Sequence, residues 1–579
     1  MEWFISELKR RNVLRVAALY AGASWLLVQV ATQVLPLFDV PTWAMRVVVV
    51  AVVLGFPFAV VFSWFYELTP EGLKREREVD RSHSITQYTG KKIDRSIIGV
   101  LAATVVVLLA NQFVPHGNRG EIALSKAVAV LPLINDTGDP NNEYFSDGLS
   151  EELISALAQI KELKVIGRTS SFHFKNTNEE SKVIGSALGV GYLLEGSVRT
   201  SAGRARIAVT LVRASDGASA WSHIYDRTLP DIFAVQTEIA QSVAGALKVA
   251  LLGEAETNPD APPSQNLDAY TAYLEGRYYE QRYSADDLRK AIGFYDAAIY
   301  NDPHYALSYA ALSRSWWALG DITGEDVVEA NRKARAFAER AVAEDPNSAD
   351  GHAALGQILI SVDRNAHGAE AEYRRAAELA PASAEPKIGL SSVIANFGQI
   401  EEAVELLQQA VRLEPLSVNA HFDLARLLTS LGRYDEAVQA ARKATELQPG
   451  GAGTWQMLAL VEAKRGNGEA ALKAAEKESD PDWRAYAIAL AQQARGDSAA
   501  ADAALDALIA DHSDDMSFQI AMVYAFRGDT DKTFEWLDRA YEQRDPGVMA
   551  IIDNPFTHDL RSDPRFGEFC KKVGIPWPL

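Results

Sequence analysis

Acidic residues crowd one short stretch, Asp136, Asp139, Asp147, Glu151 and Glu152. Carboxylates at that density are the raw material of a cation site or of acid–base chemistry. A calcium loop, however, repeats its ligands in a D-x-D-x-D-G register and closes on a glutamate, and this stretch does neither. Loop solvation and capping of the following helix account for these residues more simply. The ten histidines include no H-x-x-x-H pair, so no helix offers zinc two imidazoles one turn apart. Neither a G-x-S-x-G elbow nor a G-x-x-x-x-G-K-[ST] loop occurs. Gly189-Val190-Gly191 leads into a strand pattern rather than a helix, so it is no dinucleotide fingerprint. Cys570 is the only cysteine, which excludes internal disulfides and cysteine-based zinc sites. The expectation is a chain with no catalytic residues, no metal and no cofactor.

What the chain carries instead is a ruler. Pro303, Pro346, Pro381, Pro415 and Pro449 each close an alanine-rich helical stretch, at spacings of 43, 35, 34 and 34. Gly320, Gly398, Gly432 and Gly466 form a second ruler half a repeat out of phase. Two helices per 34 residues is the period of tetratricopeptide (TPR) repeats. One such unit cannot bury its apolar face alone, so units stack into a superhelix with a concave groove. Units are expected over about 268–546, with Gly398 and Gly432 ending first helices as left-handed caps. Small residues such as Ala437, Ala441 and Ala444 fall where paired helices touch. Residues 547–579 read as a capping segment. By similarity to TPR proteins, first helices line the groove. Gln357, Asn419, Phe422, Arg426 and Gln456 are then its expected exposed lining, the candidates for holding a protein or peptide. The clamp with which some TPR proteins grip a carboxy terminus is matched only at Arg426.

Residues 121–253 change period. Ala127–Leu133 is a short apolar run, 147–160 is helical, 163–168 is strand-like and 179–188 is helical again. Tyr192–Thr200, the alternating 204–211 and 220–227 follow as strands, with a turn at Asp216-Gly217. A helix over 232–251 ends an α/β layer with a mixed sheet. The segments AVLPLINDTGDPNNEYFSDGLSEELISAL, LKVIGRTSSFHFK, LGVGYLLEGSVR and IFAVQTEIA resemble the TolB-like module that precedes TPR arrays in many bacterial proteins. With ELKRRNVLRVAALY and the 69–98 segment, the whole chain resembles membrane-anchored TolB-like TPR proteins of proteobacteria. That resemblance implies architecture and no assigned chemistry. Cyclase and winged-helix domains that accompany the module elsewhere have no counterpart in this sequence. Pro-rich 254–267 is the linker to the repeats.

Net charge is −20, unevenly placed. Residues 1–119 hold 13 Lys and Arg against 9 Asp and Glu, and the remainder 44 against 68. So acidic a remainder repels nucleic acid, which is not an expected partner. Three N-terminal stretches, about 16–38, 47–66 and 96–115, are apolar and free of Asp, Glu, Lys and Arg. Each is long enough to span a bilayer. Trp25, Gln29 and Gln33 share one face of the first, where they would join spans within one chain or in a dimer. Seven Lys and Arg between the second and third stretches put that loop in the cytoplasm and everything after about residue 119 in the periplasm.

The sequence therefore reads as multidomain: transmembrane α-helices, a TolB-like α/β domain and an all-α TPR superhelix. The expected function is an inner-membrane scaffold binding proteins in the envelope. The alternative is a sensor whose α/β domain takes a small ligand and signals through the spans. Alkaline phosphatase fused after Ser125 should be active and a fusion at residue 85 inactive. The reverse pattern of activities would place the repeats in the cytoplasm.

Overall fold

The computed structural model describes residues 127–575, except 159, 161–162, 202, 229–231 and 248–265, together with Trp577 and a few short segments before residue 119. The chain divides into two units, Met1–Asn118 and Arg119–Leu579. In the first, β1 (Tyr66–Thr69) and β2 (Gly72–Arg75) pair antiparallel, Tyr66 opposite Arg75. The three apolar stretches lie almost wholly outside the described residues, as do the Pro-rich linker and its hinge. Among the described residues no helix is long and apolar enough to cross a membrane.

The second unit opens with an α/β domain. Its elements are β3 (Ala127–Val130), β4 (Ile134–Asn135), α1 (Glu143–Ala158), β5 (Lys164–Val165), α2 (Arg168–Phe172), α3 (Ser181–Leu188), β6 (Tyr192–Ser201), β7 (Arg204–Arg213), β8 (Ser219–Thr228) and α4 (Ile232–Ala246). The strands form one sheet in the order β5-β3-β6-β7-β8, with β4 beside β6. β3 runs parallel to β5 and β6, and β6-β7-β8 is an antiparallel meander. Strict alternation makes β7 two-faced: Ala205, Ile207, Val209 and Leu211 are fully buried while Arg204 and Arg206 face solvent. Onto the apolar face pack Leu149, Leu153 and Leu157 of α1 and Val235, Ile239 and Val243 of α4. The opposite face is covered where Ile184 and Leu188 of α3 meet Ala127, Ala129 and Leu193.

Eight helical hairpins follow. Units 1 to 4 are α5 (Leu267–Glu280) with α6 (Ala285–Asn301), α7 (Ala306–Thr323) with α8 (Val327–Glu344), α9 (Ala349–Ser361) with α10 (Ala366–Leu379), and α11 (Glu385–Ala395) with α12 (Ile400–Leu413). Units 5 to 8 are α13 (Val418–Ser430) with α14 (Tyr434–Leu447), α15 (Thr454–Lys464) with α16 (Gly468–Ala475), α17 (Pro481–Arg495) with α18 (Ser498–His512), and α19 (Ser517–Arg527) with α20 (Thr530–Glu542). A last helix, α21 (Pro564–Val573), packs on α20.

Local chemistry sets these boundaries. Ser348 and Ser417 cap α9 and α13 by accepting hydrogen bonds from Gly351 and Ala420 N–H. Second helices stop one residue before the Asp-Pro, Glu-Pro and Gln-Pro pairs, where proline lacks the next donor. Gly398 and Gly432 take φ of 73° and 71°. Gly320 does not share that role. It lies inside α7, where a Cβ would stand 2.9 Å from Ala330 of α8, and Gly324 makes the left-handed cap instead.

Successive first helices touch one another far more than successive second helices do, which makes the first-helix layer the inner one. Small residues permit the approach: the Tyr373 ring of α10 wedges between Gly356 of α9 and Gly389 of α11, and a Cβ at Gly389 would meet it at 2.3 Å. Ala437, Ala441 and Ala444 of α14 have no exposed surface. Ala437→Arg would drive an unpaired charge into that contact at a cost of about 3–5 kcal/mol. Urea denaturation should show a loss of that size, with the array melting early.

Candidate functional site

The inner face is partly filled by the chain itself. At the amino-terminal end α1 packs against α5, and the α/β core runs without a break into Tyr270, Leu274, Tyr295 and Tyr305 of units 1 and 2. Glu151 of α1 accepts hydrogen bonds from Arg168 of α2 and from Arg277 and Gln281 at the end of α5. A second clamp lies further along. The Glu414 carboxylate, at the end of α12, accepts from Thr169 N–H at 3.1 Å and Ser170 N–H at 2.7 Å in the first turn of α2. Gly167 N–H donates to Leu413 O, and Leu416 N–H to Ser170 Oγ. Charge-assisted bonds to backbone donors at a helix start are strong, so these contacts bind the α/β domain to unit 4.

At the other end the loop between α20 and α21 returns to the inner face. Asp553, its side chain 2% exposed, pairs with Arg426 of α13, and its main-chain carbonyl accepts from Ser430. Phe556 packs on Phe526 with Lys464 above both rings. Desolvation raises Asp423, which also faces Arg426, and Arg426 opposes that shift. One arginine thus serves two acids, and Asp553 Oδ1 has no hydrogen-bond partner.

Against this background the five expected groove residues separate. Asn419 is exposed. Gln357 is half-buried, its carbonyl accepting from Tyr373 Oη at 3.1 Å. Phe422 is half-buried against the core that runs from unit 3 to unit 7. Arg426 is not open lining, because Asp553 holds it. Gln456 is 4% exposed: α15 starts beneath the link to unit 7, and Gln456 N–H donates to the buried Glu478 carboxylate. Replacing Arg426 would therefore disturb the fold as well as a groove, since it strands Asp553 without a counter-charge.

Between these contacts, first-helix starts bring acidic residues together on the inner face, a stretch called the trough below, which periodicity alone did not single out. Asp350, Glu385 and Asn419 occupy the same position in units 3, 4 and 5, spaced 35 and 34 residues apart. That spacing was the available signal, and Asn419 was one of its members. Glu152 of α1 faces the trough. Its pKa is pushed up to about 7 by desolvation, then by Glu151 and Asp350, with Arg277 opposing. Glu385 keeps solvent contact, yet desolvation inside the concavity raises it too, with Arg314 opposing and Asp350 reinforcing. Neither Asp350 nor Glu385 makes an ion pair among the described residues.

The other acidic residues of the opening stretch are dispersed. Asp136 pairs with Arg199, Asp147 with Lys175, and Asp139 caps a short 3-10 turn. Asp482, His512 and Asp515 come close enough for a metal ion. The two carboxylates face opposite nitrogens, Nε2 at 3.8 Å and Nδ1 at 3.6 Å. One ion can use only one nitrogen, and the two carboxylates make their nearest approaches to different ones.

Residues 395–452 match the tetratricopeptide repeat family model. The helical array is a TPR array. A protein of Rhizobium meliloti (strain 1021) named "Putative adenylate cyclase 3" is 34% identical over 193 residues, 33% of this chain and 33% of that protein. The match thus spans a third of that relative's length. Among solved structures, YrrB, described as a TPR protein with an unusual peptide-binding site, is 22% identical over 37% of this chain and 97% of its own, with a TM-score of 0.26. PilW, a widely conserved type IV pilus biogenesis factor, is 18% identical over 36% and 91%, with a TM-score of 0.31. At those scores neither bears on what this TPR array binds.

Glu152 makes the fold pH-dependent in a defined direction. Its folded pKa lies above the ordinary carboxylate value, so the folded state holds a proton that the unfolded chain has already released. Stability is greatest below about pH 4.5 for this group, falls as pH rises toward 7, and levels off above, by up to about 1.4 kcal/mol per pH unit. Denaturation of wild type and Glu152→Gln at pH 5 and pH 8 should show the variant losing less stability between the two. An identical loss in both would mean that Glu152 is solvated like any surface acid.

Proposed function

We propose that the chain is a non-catalytic scaffold, anchored in a proteobacterial inner membrane by its N-terminal stretches, which holds a protein partner in the envelope through the middle of its TPR array. The observation that carries this reading is the trough of units 3 to 5. It lies between α1 on one side and, on the other, the Asp553 loop that holds Arg426 of unit 5. Its unpaired carboxylates, Asp350 and Glu385, favour a partner segment bearing lysine or arginine, both in steering and in specificity. Membrane anchoring rests on the three apolar stretches and the basic loop between the second and third. The TolB-like domain then serves as a fixed wall of the binding trough.

The sensor reading has one observation in its favour. Glu151 and Glu414 tie the TolB-like domain to units 1 and 4, so a ligand that moved α1 or α2 would also move the array. The two readings separate by where a partner attaches. A photo-crosslinking residue at Asn419 should give a discrete protein adduct in cells, and one at Val328, 86% exposed on a second helix, should not. Asp350→Lys with Glu385→Lys should abolish the Asn419 adduct at unchanged expression. Adducts that form only from the sheet surface of the α/β domain would overturn the scaffold reading.

A further inference from the structure

Arg364 stands where the repeat places glycine. The residue shortly after the first helix of every unit lies in the left-handed region: Tyr283, Gly324, Arg364, Gly398, Gly432, Gly466, Gly496 and Gly528. From Arg364 the next three steps are 34 residues each and all land on glycine. Arg364 holds φ of 53°, a conformation in which a Cβ is strained and glycine is not. The second arginine of interest, Arg544, holds φ of 61° just after α20 of unit 8. The two are far apart in sequence and belong to different units. The superhelix nevertheless brings them to one half-open surface cavity of about 380 Å³, lined by Arg364, Glu542 and Arg544, all exposed, and the half-buried Tyr541.

Both guanidinium groups are without a hydrogen bond or ion pair among the described residues. Their surroundings are not loose. Asp363, next to Arg364, is held by Arg335 of α8, and Asp545, next to Arg544, accepts from Phe518 and Gly547 N–H. The Tyr541 ring is a fixed wall, with Lys572 Nζ 4.6 Å above it and itself paired to Asp538. Two exposed arginines on left-handed backbone thus line one cavity, with a single carboxylate, Glu542, beside them, on a chain whose net charge is −20. Both side chains are exposed, so the cost lies in the backbone, and at 364 folding alone does not require it, since glycine would serve that turn.

We propose that this cavity binds a small ligand through an oxyanion, a carboxylate or a phosphate group, gripped between Arg364 of unit 3 and Arg544 of unit 8. A guanidinium fork matches either oxyanion in two parallel hydrogen bonds. Glu542 is placed to accept from a hydroxyl or ammonium group on the same ligand, and Tyr541 covers its apolar part. A ligand held in this way ties the third unit to the last, so it stiffens the closed superhelix without entering the trough of units 3 to 5.

The purified full-length protein would be melted with sodium phosphate, sodium citrate or sodium chloride at matched ionic strength. Wild type should show a saturable rise in Tm of about 2 °C with phosphate or citrate over chloride. Response to phosphate alone assigns a phosphate-bearing ligand, and response to citrate alone a carboxylate. Arg364→Gly should melt higher than wild type without ligand, because the strain is gone, and should lose the ligand-dependent rise. Arg544→Gly should lose the rise as well. The proposal fails if neither anion shifts wild type beyond chloride, or if Arg364→Gly keeps the shift. It also fails if Arg364→Gly melts lower than wild type without ligand, since Arg364 would then be holding the loop together.

Discussion

The approach of one first helix to the next governs everything else in the second unit. Small residues make the room for the helices that meet there, as where Gly356 and Gly389 admit the Tyr373 ring between first helices and where the alanines of α14 back onto its neighbours. Inner-layer contacts tighter than outer-layer contacts bend the stack. The bend then accumulates over eight units until the end of unit 8 lies beside unit 3. Arg426 meeting Asp553, and Arg364 sharing a cavity with Tyr541 and Arg544, are both products of that accumulated curvature. A repeat array is often treated as a sum of neighbour terms. Here its two most specific inner-face contacts join elements several units apart.

Polar residues orient the α/β domain on the array, at unit 4 by backbone recognition. Glu414 caps the start of α2 from another domain, and Ser170 returns a hydrogen bond to Leu416. Such contacts are directional, so they fix the domain's orientation in a way that apolar packing around Leu416 would not. The continuous core through Tyr270, Tyr295 and Tyr305 supplies the bulk of the attachment. Together they leave α1 near unit 3, which is why Glu152 is desolvated and has Asp350 of α9 as well as its own neighbour Glu151 to hold its proton on.

Much of the local structure is written in the chain. Serine caps, Asp-Pro and Glu-Pro stops and the glycines at 398, 432 and 466 each act within a few residues, so their effect survives in any context. The alternation in β7 and the Asp216-Gly217 turn are of the same kind, and Gly217 takes φ of 70°. Gly320 marks the limit: glycine can mean a left-handed cap or a close approach, and only its neighbour Ala330 decides which. Groove lining is still less legible. A position in the repeat tells which side of a helix a residue occupies, and it is silent on whether another part of the chain already covers that side.

The sequence by itself determined the helical hairpins, their period and the mixed α/β character of the domain before them, because each rests on interactions between residues near in the chain. It also determined the uneven charge, with a basic amino-terminal region and an acidic remainder. Tertiary structure alone decided that Arg426 is engaged, that Gln456 is buried, that Asp350 and Glu385 stay unpaired and that Arg364 and Arg544 line one cavity. Each of those outcomes depends on the summed curvature of several units, and a curvature built from many small inter-helix distances has no signature at any single residue.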